Sequence, residues 1–168
     1  MFPLKPLSAS AVPAALAKAE RYRLLNEPMQ AASICEDILR VEPDNAAARV
    51  TLILSLSDEF AGSEQTSAMT RARTLLPGLP TEYERAYYSG ILAERRALAQ
   101  LDHGGVGGGF SAYEGLREAM TWFEKAEARR PADNDDAILR WNACARVLMR
   151  HPHLQAKAEE RDMPLALE

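Results

Sequence analysis

The sequence has little of what metal sites and disulfide frameworks require, with 2 cysteines and 3 histidines among 168 residues. Cys35 and Cys144 form no Cys-x-x-Cys pair, which argues against a zinc site and predicts two buried free thiols. His151 and His153 are two residues apart and do not have the i, i+4 spacing that places two metal ligands on one helix face. We therefore predict no metal, no cofactor and no catalytic residue, and expect that the protein is not an enzyme.

Acidic residues outnumber basic ones, since the chain has 20 Lys and Arg residues and 24 Asp and Glu residues, which gives a net charge of −4. This balance argues against a nucleic-acid partner and against an anionic membrane surface. No uncharged apolar run approaches the roughly 18 residues of a spanning helix, and the N-terminus lacks the pattern of a signal peptide. We expect a soluble protein in the reducing cytoplasm.

Ten prolines divide the chain into segments rich in Ala, Leu, Glu and Arg, the strong helix formers. The predicted helices cover residues 13–26, 28–41, 45–60, 64–76, 81–101, 111–130 and 135–150, with a short one near 153–161. Five of the nine glycines lie within 102–110, which predicts a flexible loop. This loop lacks the Lys-Ser or Lys-Thr pair of a phosphate-binding P-loop, and a loop that orders on a partner is the remaining functional interpretation.

An internal repeat is visible in the second helix of each predicted pair. An alanine precedes a proline by 12 residues three times, at Ala31 and Pro43, Ala68 and Pro80, and Ala119 and Pro131. Small or apolar side chains recur four and seven positions after each alanine. The chain resembles the tetratricopeptide repeat family, whose second-helix pattern is matched by Ala119, Phe123, Ala126 and Pro131. Ala19 with Tyr22 resembles its first helix, and Gly90 takes the small position of the third repeat, followed by an insertion of about 17 residues.

The resemblance implies an all-α solenoid of antiparallel helix pairs with about three repeats and a C-terminal capping helix. An N-terminal extension, 1–12, precedes a helical domain at 13–150, made of repeats at 13–44, 45–81 and 82–133 and a cap at 134–150. A short helix and tail follow at 151–168.

In this family the first helices line a concave groove. The positions that match give the candidate partner-binding residues Arg23, Leu24, Leu54, Ser57, Asp58, Tyr87, Ile91, Glu94, Arg95, Asn142 and Arg146. Tyr87 has two interpretations, a rigid anchor for a peptide or part of the core, because tyrosines at helical spacing are more often buried.

The function implied is that of a non-enzymatic interaction module, an adaptor or scaffold that binds an extended or helical segment of another protein. One alternative is a chaperone for a single client. Another is a self-assembling homo-oligomer in which a neighbouring copy's terminus, 1–12 or 152–168, fills the groove.

Overall fold

The computed structural model describes residues 2–62, 65–103, 108–152 and 154. All regular elements within these ranges are α-helices or 3₁₀ turns, which confirms the predicted all-α class. The α-helices are α1 (Val12–Leu24), α2 (Pro28–Val41), α3 (Ala46–Asp58), α4 (Gln65–Leu75), α5 (Glu82–His103), α6 (Gly108–Glu127) and α7 (Asp136–Arg150). Short 3₁₀ turns cover Ala9–Ala11 and Leu76–Gly78. Among the described helices, none is both long enough and apolar enough to cross a bilayer.

Local sequence explains where the helices begin. Pro28 is the first residue of α2, a position whose N–H has no partner within the helix. Before α3, the Asn45 side chain accepts a hydrogen bond from the Ala48 N–H at 2.9 Å. Before α5, Thr81 and Glu84 form a reciprocal capping box, in which each side chain accepts from the other's backbone N–H.

The predicted loop at 102–110 is helical at both edges, because α5 continues to His103 and α6 begins at Gly108. Extensive packing between α5 and α6 outweighs the low helix propensity of glycine at these edges. Residues 104–107 lie outside the described part, as does the predicted short helix near 153–161 apart from Leu154. At its other end α6 stops at Glu127, three residues before the predicted boundary.

Consecutive helices pack against each other along the chain, and α1 also contacts α3 while α3 contacts α5. One apolar cluster joins α1–α4 to Leu79, Leu92 and Ala99, and a second joins α5, α6 and α7. All but one of the repeat positions of the second helices are buried, and the exception, Leu75 of α4, is half-buried. The buried positions are Ala31, Cys35 and Ile38 in α2, Ala68 and Ala72 in α4, and Ala119, Phe123 and Ala126 in α6.

Two glycines allow α5 and α6 to approach closely. A Cβ atom on Gly90 would lie 2.5 Å from Cε1 of Phe123, and one on Gly115 would lie 2.8 Å from Cβ of Ala97. The Phe123 ring therefore occupies the space that a side chain at position 90 would need. This contact explains why position 90 is filled by glycine.

We predict that Gly90→Ala destabilises the protein even though alanine is the better helix former. Overpacking a filled core costs about 1–3 kcal/mol and the higher helix propensity of alanine offsets about 1 kcal/mol of it, so we expect a net loss of up to about 2 kcal/mol. Urea unfolding measures this difference. The double variant Gly90→Ala/Phe123→Leu should lose less than the sum of its single changes, and strict additivity would contradict the contact.

Candidate interaction surface

Asp58, the last residue of α3, connects three helices. Its Oδ2 atom lies 2.7 Å from Nε of Arg23 on α1, and its Oδ1 atom binds Nη1 of Arg95 on α5. The same Arg95 nitrogen donates to Oγ of Ser57 at 2.6 Å and to the Leu54 carbonyl at 3.2 Å. The predicted residues of α1, α3 and α5 therefore meet at one place.

The position of Arg95 follows from the electrostatics of α3. Leu54, Ser57 and Asp58 belong to the last turns of that helix, where the carbonyl dipoles favour a cation. The Arg95 side chain is 22% exposed. Burial lowers its pKa, whereas the carboxylate of Asp58 raises it. The guanidinium stays charged at neutral pH and has protein acceptors in place of part of its water shell.

Glu94, the residue before Arg95, is a buried carboxylate with few partners. It is 5% exposed, and its Oε2 atom makes no hydrogen bond of good geometry. The nearest cation is Arg140 on α7, whose Nη1 lies 3.5 Å from Oε2. Burial raises the pKa of Glu94 although Arg140 and Arg95 act in the opposite direction. The carboxylate is therefore only partly compensated.

Burial affects the pKa of Glu94 and the pKa of Arg140 to different extents, because the two side chains are buried to different extents. Glu94 is enclosed, whereas the side chain of Arg140 is 42% exposed. Burial lowers the pKa of Arg140, but Glu94 and Tyr87 outweigh it and raise that pKa overall. Most of the desolvation cost therefore falls on the carboxylate.

Five side chains of alternating sign thus form a line across α1, α3, α5 and α7, which we call the charged row. Its members in order are Arg23, Asp58, Arg95, Glu94 and Arg140. Adjacent residues of a helix point about 100° apart, so Arg95 can reach α3 while Glu94 reaches α7. The row has an arginine at each end and one more positive than negative charge.

Apolar side chains lie beside the charged row. Ile91 is buried, and Leu54 packs in part against the same cluster. The Tyr87 ring stacks on Tyr83 at 5.7 Å between centroids and also contacts the rings of Tyr88 and Phe123. These ring contacts favour packing as the main role of Tyr87, with part of its surface left accessible.

The structure does not join every predicted residue to the row. Leu24 is exposed near the end of α1, Asn142 is half-buried and Arg146 is exposed on α7. No described hydrogen bond or ion pair links these three side chains to the row. The joined set contains Arg23, Leu54, Ser57, Asp58, Tyr87, Ile91, Glu94 and Arg95.

Arg140 is the residue that sequence reasoning missed. The buried side of α7 includes Ala137 and Cys144, with Trp141 partly buried beside them, and Trp141 donates to Glu124 of α6. This arrangement places Arg140 on the flank towards α5. The seven-residue spacing of Ala137 and Cys144 is the signal that could have set this register.

The two cysteines, Cys35 and Cys144, lie in the core and not on this surface. Both cysteines are buried free thiols, as predicted, and burial with nearby carboxylates raises their pKa to about 12. Thiols with such a pKa are protonated and unreactive at neutral pH. Within the described ranges, no group of three His, Cys, Asp or Glu side chains is placed to hold a metal ion.

Removing the shared carboxylate should destabilise the fold. We expect Asp58→Ala to lower the free energy of unfolding by about 1–3 kcal/mol, because Arg95 then lies partly buried without its counter-ion. Glu36→Ala is the matched control, since Glu36 pairs with Arg71 across helices but both side chains are about half-exposed. Its cost should stay below about 1 kcal/mol. Equal losses in urea unfolding would contradict the importance of the shared carboxylate.

The raised pKa of Glu94 predicts a pH dependence of stability. Between the unfolded and the raised folded pKa, the folded protein binds this proton more tightly, so the Glu94 contribution falls as pH rises through that interval. Glu94→Gln cannot ionise and lacks this loss. We expect the stability of the variant relative to wild type to increase from about pH 4 to about pH 8 in urea unfolding. A relative stability that stays flat or decreases would contradict the buried carboxylate.

Comparison with known proteins adds no relative. No protein-family model matches the chain, and neither the curated proteins nor the solved structures include a significant match. The functional interpretation therefore depends on the geometry of this chain, whose charged row and adjoining apolar residues form one surface across four helices.

Proposed function

We propose that the protein is a non-enzymatic interaction module, in which a segment of another protein binds along the charged row in the cytoplasm. In this proposal α1, α3, α5 and α7 are the first helices of tetratricopeptide-like pairs. The partner crosses them in an extended or helical conformation. The charged row is the observation that carries the proposal.

The packing pattern supports the helix-pair arrangement. Contacts of α1 with α3 and of α3 with α5 skip one helix each, as stacked helix pairs require. The repeat positions on α2, α4 and α6 are buried, apart from the half-buried Leu75. This leaves the side of the odd-numbered helices that carries the charged row as the surface on which a partner would lie.

Pre-organisation supports binding at the row. Arg23 and Arg95 are already held by Asp58, so a partner would not have to immobilise two long side chains from a free state. Arginine is enriched among residues that dominate binding energy, and the partly exposed side chains of Leu54 and Tyr87 beside the row offer surface for burial. The unsatisfied Oε2 atom of Glu94 provides an acceptor that a donor of the partner could use once Arg140 moves.

The proposal predicts that binding depends on Arg23 and not on its near neighbour Arg21. Segments are selected from a displayed peptide library on the wild-type protein, and their affinities are measured by calorimetry. Arg23→Gln should weaken binding about tenfold, the value of one charge-assisted hydrogen bond at the site. Arg21→Gln is the matched control, because this exposed arginine lies on α1 away from the row and its change alters net charge equally.

A library that yields no binder would contradict the proposal, as would binders equally affected by both variants. Circular dichroism melting of each variant separates loss of binding from loss of folding. Protection of α1, α3 and α5 in hydrogen exchange on adding the peptide would place the binder on the row. Protection confined to α2, α4 and α6 would place it elsewhere and overturn the proposal.

A further inference from the structure

The segment before α1 carries large apolar side chains that its own fold does not bury. Residues 2–7 have no regular secondary structure, and Pro3 and Pro6 restrict this arm to extended conformations. Phe2 is 97% exposed and Leu4 is 70% exposed. Leu7 is partly buried and packs against the cluster of Val12, Ile38 and Ala48. The arm is therefore anchored at Leu7 and projects its apolar end into solvent.

An open crevice between α1 and α2 begins where the arm is anchored. Its volume is about 330 Å³, and Leu7 lies at its edge. The remaining lining is mostly small and apolar, with one charge of each sign, and consists of Ala11, Ala14, Ala15, Ile34, Lys18 and Asp37. Ala14 and Arg23 are nine residues apart on α1 and so face opposite directions. The crevice is distinct from the charged row, so any role of the crevice is independent of the proposed function.

We propose that this crevice receives the arm of a second copy of the chain, with Phe2 and Leu4 as the inserted side chains. The alanine-lined crevice has room for an aromatic ring, and the arm offers one. Lys5 of the arm can approach Asp37 at the crevice, whose carboxylate already lies 3.3 Å from Arg40 of the same helix, so this charge pair adds only weakly to binding. The two prolines keep the arm extended before binding and reduce the entropy lost on insertion.

The geometry points to a reciprocal exchange between two copies. The same arm and the same crevice are present on each copy, so both contacts form together about a two-fold axis and the assembly closes as a dimer. A buried Phe side chain contributes roughly 150–250 Å², and two arms with Phe2 and Leu4 approach the lower end of interfaces that persist in solution. We therefore expect a reversible dimer whose population depends on concentration.

The test measures the mass of four proteins in solution by sedimentation over a wide concentration range. Each protein is the full chain, with no residues added before Met1. The wild type should dimerise. The arm variant Phe2→Ser/Leu4→Ser and the crevice variant Ala14→Arg should each raise the dimer dissociation constant at least about tenfold. Ala14 is exposed, so arginine there fills the crevice without entering the core. Ala17→Arg is the matched control, an exposed alanine of α1 outside the crevice lining, and should dimerise like the wild type.

Mixing the arm variant with the crevice variant gives the sharpest outcome. One copy then supplies an intact crevice and the other an intact arm, so one of the two contacts is restored. The mixture should form mixed dimers more tightly than either variant dimerises alone, but more weakly than the wild type. Recovery on mixing supports arm insertion. A monomeric wild type, a dimer that survives both variants, or a mixture that associates no more tightly than either variant alone would overturn it. Unchanged circular dichroism melting of each monomer confirms that the substitutions act on association.

Discussion

The junction between Arg95 of α5 and the last turns of α3 connects the two halves of the molecule. Each half has its own apolar cluster, although Leu92 and Ala99 of α5 belong to the cluster of the first half, and direct packing between α3 and α5 also joins the two. A partly buried guanidinium at this junction is stable only if acceptors replace its lost water. The end of α3 supplies a carbonyl, a hydroxyl and a carboxylate for that purpose. Asp58 then binds Arg23 as well, so one carboxylate fixes the relative positions of three helices.

The charged row extends from this junction to α7, where the buried carboxylate of Glu94 is only partly neutralised by Arg140. Glu94 is more buried than its partner Arg140, and its Oε2 atom lies 3.5 Å from Arg140 without a hydrogen bond of good geometry. A buried carboxylate in this state reduces stability, and an apolar residue of similar size would avoid the cost. Its position beside two arginines and several apolar side chains is consistent with a surface that gains a donor from a partner. The same reasoning separates this surface from the α1–α2 crevice, whose lining is apolar and mostly small.

Much of the fold was predictable because it depends on local signals. Proline positions and helix propensity indicate the helices, and the 12-residue offset identifies the side chains that α2, α4 and α6 bury. The edges of the glycine-rich segment were not predictable from propensity, because packing of α5 on α6 extends both helices. Leu7 lies in the predicted N-terminal extension, yet it packs on the core through contacts with α2 that no short-range pattern reveals.

The candidate surface was predictable in part for similar reasons. The family pattern places Arg23, Asp58 and Arg95 on one side of their helices, but the bonds that join them depend on how three helices stack. The repeat pattern alone does not select Arg140, because it assigns α7 a different register. The buried pair Ala137 and Cys144 sets that register in the structure. Side-chain pairing between distant helices is a tertiary property, and sequence spacing alone does not give it.

A double-mutant cycle between Asp58 and Arg95 tests the central claim most directly. Asp58→Ala, Arg95→Met and the double variant are each unfolded in urea and compared with the wild type. If the pair holds the two halves together, the double variant loses less than the sum of the single variants, with a coupling energy of about 1–3 kcal/mol. Additive losses, with coupling below about 0.5 kcal/mol, would show that the two side chains act independently and would contradict a junction held by this pair.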